Sequence, residues 1–155
     1  MDWKHEQTNA FLEEAIIATS ADAIIVTDDQ GVIRLWNLGA VRIFGFREEE
    51  AIDTSLDLII PERLRTRHWE GYEHVMASGR TQYGTGALLS VPAVTKDGRE
   101  ISVEFTIILL HDPEGRIVGT AAILRDVTAR FQEMRELKRR LAEQVRSGRL
   151  RDATR

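Results

Sequence analysis

Among the four histidines of this 155-residue sequence, one stands where its ring could do chemistry. Leu64, His68, Gly71, Tyr72 and Val75 follow at i, i+4, i+7, i+8 and i+11, a single stripe of a helix that Pro61 can open and Gly79 can close. The His68 imidazole therefore faces the core side, where a neutral ring can ligate a metal centre or hydrogen-bond as a core residue. His74 lies six residues further on, about 240° around the helix, so the two rings do not form a two-histidine metal site. There is no cysteine, which removes disulfides, Cys-ligated zinc, iron–sulfur clusters and thiol nucleophiles together. Gly84-x-Gly86 lacks a third glycine and a following helix, so it makes no phosphate loop. Glu13-Glu14 and Glu48-Glu49-Glu50 read as charged helix surface, and Trp36 and Trp69 as packing residues. No nucleophile, base and oxyanion donor can be assembled from what remains, and an enzyme is not expected.

The elements that must hold these residues are marked by periodicity and punctuation. Phe11, Leu12, Ala15 and Ile16 recur at helical spacing and predict an amphipathic lead-in helix over about residues 9–18. Ala23–Thr27 and Val32–Trp36, joined by Asp28-Asp29-Gln30-Gly31, predict a hairpin. Asn37 is placed to cap a short helix that Gly45 stops, and residues 47–60 suggest broken helical turns. Beyond Gly79 the period drops to two. A strand is expected over residues 84–94, then a Lys96-Asp97-Gly98 turn. Ile101, Val103, Phe105, Ile107 and Leu109 alternate with Ser102, Glu104 and Thr106, as in an antiparallel strand with one buried face. Asp112-Pro113-Glu114-Gly115 turns the chain into a last strand over residues 117–124. Val127, Phe131, Met134, Leu141 and Val145 then form a heptad seam, with Lys138 in one apolar slot, on a helix expected to end near Ser147-Gly148. An antiparallel sheet with helices on one face is the economical packing of this order.

Composition narrows the class. Hydrophobic residues make up 43% and charged residues 30%, enough apolar side chain for a core. The net charge of −4 argues against a nucleic-acid-binding surface. Within that total, residues 129–155 carry nine Arg/Lys against four Asp/Glu, a basic end on an otherwise acidic chain. No apolar run approaches the ~18 residues of a membrane span, and the first residues lack a signal-peptide pattern. A cytoplasmic location is expected.

The order resembles the PAS family, an α+β fold with a five-stranded antiparallel sheet and short helices on one face. The matching residues are Asp22–Asp28, Gly31-Val32-Ile33 leading to Trp36-Asn37, and Phe44-Gly45-Phe46 before Glu48-Glu49-Glu50. Lys96-Asp97-Gly98 and Asp126-Val127-Thr128 also match. The resemblance implies a flanking helix over residues 1–20, a sensory domain over 21–128 and a signalling or dimerisation helix with a basic tail over 129–155. It implies signal transduction: a small ligand or gas is sensed and relayed through the flanking helices of a homodimer to an effector domain or partner outside this sequence. A cofactor-free interaction domain is the alternative. Without cysteine, the flavin–cysteinyl photochemistry of some members is excluded.

The heme-binding gas sensors of the family hold iron through a histidine on the long helix before the third strand. His68 stands at that spacing, seven residues after Pro61 and eleven before Gly79. The resemblance thus makes His68 the candidate ligand of a heme b, with Tyr72 beside it on the stripe and His74 near a propionate. Where oxygen-sensing members place an arginine or methionine, this chain has Gly86-Ala87-Leu88-Leu89. Leu88 and Leu89, beside Phe105 and Ile107, are therefore expected as an aliphatic wall that gives a bound gas no hydrogen-bond donor.

Overall fold

A computed structural model describes residues 6–19, 21–79 and 88–152. The lead-in helix α1 spans Glu6–Ile17. Strands β1 (Ala23–Asp28) and β2 (Ile33–Trp36) form the expected hairpin, its turn closed by Gly31 at a φ of 74°. Helix α2 (Leu38–Phe44) is capped as expected: Asn37 Oδ1 accepts from Ala40 N, and Gly45 ends the helix in the left-handed region. Asn37 does more than cap. Its Oδ1 also accepts from Ile24 N, and its Nδ2 donates to the carbonyls of Thr19 and Asp22, tying α1, β1 and α2 at one buried amide.

The broken stretch resolves into α3 (Glu48–Ala51) and a 3-10 turn at Leu56–Leu58. Pro61 opens a second 3-10 turn at Glu62–Leu64 rather than the long helix itself, which follows as α4 (Arg65–Ser78) and ends at Gly79. Strand β3 covers Leu89–Val94; the expected start at Gly84 lies outside the described residues. β4 (Glu100–His111) and β5 (Ile117–Asp126) complete one antiparallel sheet in the order β2-β1-β5-β4-β3. The final helix α5 (Thr128–Asp152) runs through Ser147 and Gly148, where the sequence predicts a stop. One glycine costs a helix interior only about 1 kcal/mol, and Arg139 and Arg140 staple the preceding turns to Glu136 and Glu143.

The packed core lies under α2 and α3. Ile25, Ile33, Trp36, Phe44, Ile59 and Val103 are its buried centre. Lys96 fastens this side by donating its N–H to Phe44 O and pairing with Glu50. The other half of the inner sheet face is covered differently: α4 contributes no buried side chain. The outer face is more apolar than simple alternation predicts. Ile108 and Ile123 point outward and are 50% and 39% exposed. α1 and α5 are exposed along their apolar stripes, including Phe11, Ile16, Phe131, Met134 and Leu141.

Candidate ligand site on the inner face of the sheet

Helix α4 meets the hairpin and the sheet through Trp69 and Tyr72, and the His68 ring packs against both. Trp69 donates Nε1–H to Asp57 Oδ1 at 2.8 Å and presents the Cζ3–Cη2 edge of its ring to Gly31 in the hairpin turn. A Cβ on Gly31 would sit 2.3 Å from the indole, so glycine there serves both the turn and the approach of α4. Tyr72 reaches the sheet itself. Its hydroxyl donates to Asp28 O at 2.5 Å and lies 2.9 Å from Thr27 Oγ1, which lies 2.9 Å from Thr120 Oγ1.

Each hydroxyl has one proton. With the Tyr72 proton on Asp28 O, only one arrangement makes every contact a hydrogen bond: Thr120 donates to Thr27, and Thr27 donates to Tyr72. Burial pushes the Tyr72 phenol up, so it stays a donor at neutral pH.

His68 is held between its neighbours, 4.9 Å from the Trp69 ring at 79° and 6.0 Å from Tyr72. Its Nδ1 is buried and has no hydrogen-bond partner. Burial lowers the imidazole pKa, with the Asp57 carboxylate opposing, so the neutral ring is favoured. A buried polar atom left unpaired costs about 1–3 kcal/mol. A ligand that occupies Nδ1 itself removes that cost.

The other residues singled out from sequence divide. Leu89, Phe105 and Ile107 share the inner face with Ala122 and Leu124, and each is only half-buried. Leu88 does not join them. It precedes β3 with the opposite alternation and is 61% exposed. His74 is exposed on α4, away from His68. Gly71 is exposed too, and a Cβ there meets nothing, so the room beside it is solvent. Thr27, Thr120 and Asp57 escaped the sequence reading, because nothing local links positions 27, 72 and 120.

These residues fit a heme better than a bare ion. No cluster of three or more metal-ligating side chains exists among the described residues. A metal carried in its own ring needs only one protein ligand, and the His68 imidazole is neutral and inward with an orphaned nitrogen. The half-buried Leu89, Phe105 and Ile107 supply apolar contact for such a ring.

Residues 17–132 match the family model described as the PAS fold, and the chain belongs to the PAS family of sensory domains. It is 43% identical over 54 residues to the sensor protein FixL of Bradyrhizobium diazoefficiens, covering 35% of this chain and 11% of that protein. It is 24% identical over 116 residues to the oxygen sensor protein DosP of Escherichia coli, covering 75% of this chain and 14% of that protein. The PAS domain of a Colwellia psychrerythraea protein superposes with a TM-score of 0.67 at 22% identity, over 78% of this chain and 98% of that one. The chain spans a fifth or less of the length of these curated relatives. Among the described residues, no helix is long and apolar enough to cross a membrane.

Proposed function

We propose that this PAS domain is a ligand-input module that holds heme b through His68 and works as a homodimer through α1 and α5, without catalytic activity of its own. The observation that carries the heme reading is the buried, unpartnered Nδ1 of a neutral His68 packed against Trp69 and Tyr72. Similarity to an oxygen sensor supports it. Heme held by one imidazole supplies a binding position for diatomic gases. His68 fixes the ring, Leu89, Phe105 and Ile107 exclude water from it, and Trp69 and Tyr72 fix His68.

A cofactor-free interaction domain is the second reading, favoured by the Thr120–Thr27–Tyr72 chain, which fills its part of the inner face with satisfied bonds. Absorption spectra of protein expressed with heme supply separate the two. The wild type is expected to show a Soret band near ~400–430 nm, as ligated heme does. His68→Ala should lose the band unless imidazole is added, and His74→Ala should keep it. A colourless, folded wild type would refute the heme reading and leave His68 as a structural histidine.

A further inference from the structure

An open groove of about 530 Å³ lies between α1 and the end of β2. Ile17, Leu35 and Leu38 give it apolar walls, and Leu38 is 58% exposed. Glu13, Glu14 and Glu48 rim it, and none of the three pairs with a base among the described residues.

The opposite character lies on α5. Its stripe of Phe131, Met134, Leu141 and Val145 is 47–62% exposed, so its own chain leaves that face uncovered. Arg139 and Arg140 are neutralised by Glu136 and Glu143. Lys138, in the stripe itself, and Arg130 and Arg135, on its flanks, have no such partner among the described residues.

A parallel pair of α5 helices is the obvious way to cover the stripe, and the sequence opposes it. With Phe131 and Lys138 at a positions and Met134 and Leu141 at d, the seam buries two Lys138 ammoniums against each other. The same register sets Arg130 of one helix at g against Arg135 of the other at e. The acidic groove offers those bases the opposite charge and the stripe an apolar wall.

In this structure α5 does not cover the groove of its own chain, whose lining includes no α5 residue. The first turn of α5 is fixed beside β4, where Val127 N donates to Ser102 O and Ser102 N donates to Thr128 Oγ1. β2 is three strands away, about 14 Å at ordinary strand spacing, and α5 is one unbroken helix.

We propose that the basic, apolar face of α5 docks into the acidic α1–β2 groove of a second copy of the chain, reciprocally, to form the dimer. This rests on the reading of α1 and α5 as the dimer interface, and it replaces an α5–α5 seam with a crossed α5–groove contact.

Sedimentation equilibrium at two salt concentrations tests it. Glu13→Lys with Glu14→Lys should weaken the dimer about ten-fold or more, and Arg135→Glu with Lys138→Glu added should recover much of the loss. Wild-type association should weaken with salt, since exposed charges are screened beyond ~10 Å at 0.1 M. Lys138→Leu should not tighten the dimer. All these positions are exposed, and unchanged circular dichroism verifies that each variant folds.

A dimer indifferent to the Glu13/Glu14 reversal, or markedly tightened by Lys138→Leu, would overturn the crossed contact and restore the α5–α5 seam. A dimer broken by Ile108→Asp but not by the groove variants would place the interface on the outer sheet face, again overturning it. A wild type monomeric at every concentration would overturn the dimer reading along with it.

Discussion

Removing one oxygen atom, by Tyr72→Phe, tests the hydroxyl chain that ties α4 to the sheet. The ring keeps its packing beside Trp69 and His68, at centroid distances of 5.4 and 6.0 Å. What is lost is the donor to Asp28 O and the acceptor for Thr27. Thr27 is 2% exposed, so its proton cannot turn to water. It can turn to Thr120 Oγ1, but the Thr120 proton then loses its acceptor at a residue only 8% exposed. The defect thus moves along the chain to β5. Net hydrogen bonds are worth about 1 kcal/mol each and an orphaned buried donor costs about 1–3, so Tyr72→Phe should destabilise the domain by about 1–3 kcal/mol. Thr27→Val alone removes two bonds and orphans the Thr120 proton, so it should cost a similar amount. Combined with Tyr72→Phe it leaves one orphaned donor where the two single variants together leave two, and the Thr27–Tyr72 bond is lost only once. The double variant should therefore be less destabilised than the sum, by about 1–3 kcal/mol. Urea unfolding followed by far-ultraviolet circular dichroism measures all four corners of this cycle. Additivity within about 0.3 kcal/mol, the behaviour of independent sites, would refute the directed chain.

Two further outcomes follow from the same site. Gly31→Ala places a methyl group where the Trp69 ring lies, at a φ of 74° that alanine disfavours. It should cost at least about 1 kcal/mol and shift the tryptophan emission, and an unchanged spectrum would mean that Trp69 does not rest on the turn. Because burial lowers the His68 pKa below its ordinary 6.5, the unfolded chain takes up the proton first as the solution is acidified. Apoprotein stability is then fully present above about pH 6.5 and is lost as pH falls below it. His68→Asn should flatten the urea midpoint between pH 7.5 and 5.5, and an equally steep profile in that variant would assign the dependence elsewhere.

What was legible in the sequence was what local chemistry decides. Asn37, Gly45 and Gly79 sit at chain reversals that need a capping amide or a left-handed residue, and each is found in that role. The alternation from Ile101 to Leu109 fixed one face of β4, and Phe105 and Ile107 lie on it. Three features were not legible, for separate reasons. The outward Ile108 interrupts the polar set of β4, and only the pairing with β5 sets it beside Ala121 on the uncovered face. Leu88 looked equivalent to Leu89, and only the Leu89–Phe105 register decides which of two adjacent leucines turns inward. The hydroxyl chain joins residues 93 positions apart, and no spacing rule reaches that far. The site itself was half legible: helical phase gave the inward turn of His68, while its missing hydrogen-bond partner is a property of the packed structure.

The route from the site to the helices rests on how α5 is joined. Asp126, the last residue of β5, accepts from Thr128 N at 2.9 Å and from Thr128 Oγ1 at 2.6 Å. Thr128 Oγ1 in turn accepts from Ser102 N on β4, and Val127 N donates to Ser102 O. No flexible linker separates sheet from helix, so the first turn of α5 is part of the β4–β5 ladder and must turn with it. α1 is held differently, with its following residue Thr19 bonded to Asn37. Thr120 lies on β5 six residues before this junction, bonded through Thr27 to Tyr72, one turn of α4 beyond His68. A displacement of α4 breaks a buried bond unless β5 follows, and β5 cannot move without reorienting α5. The inner face and the outgoing helix are thereby joined by one run of hydrogen bonds and continuous backbone, while the chain after α1 is tied to the same sheet through Asn37.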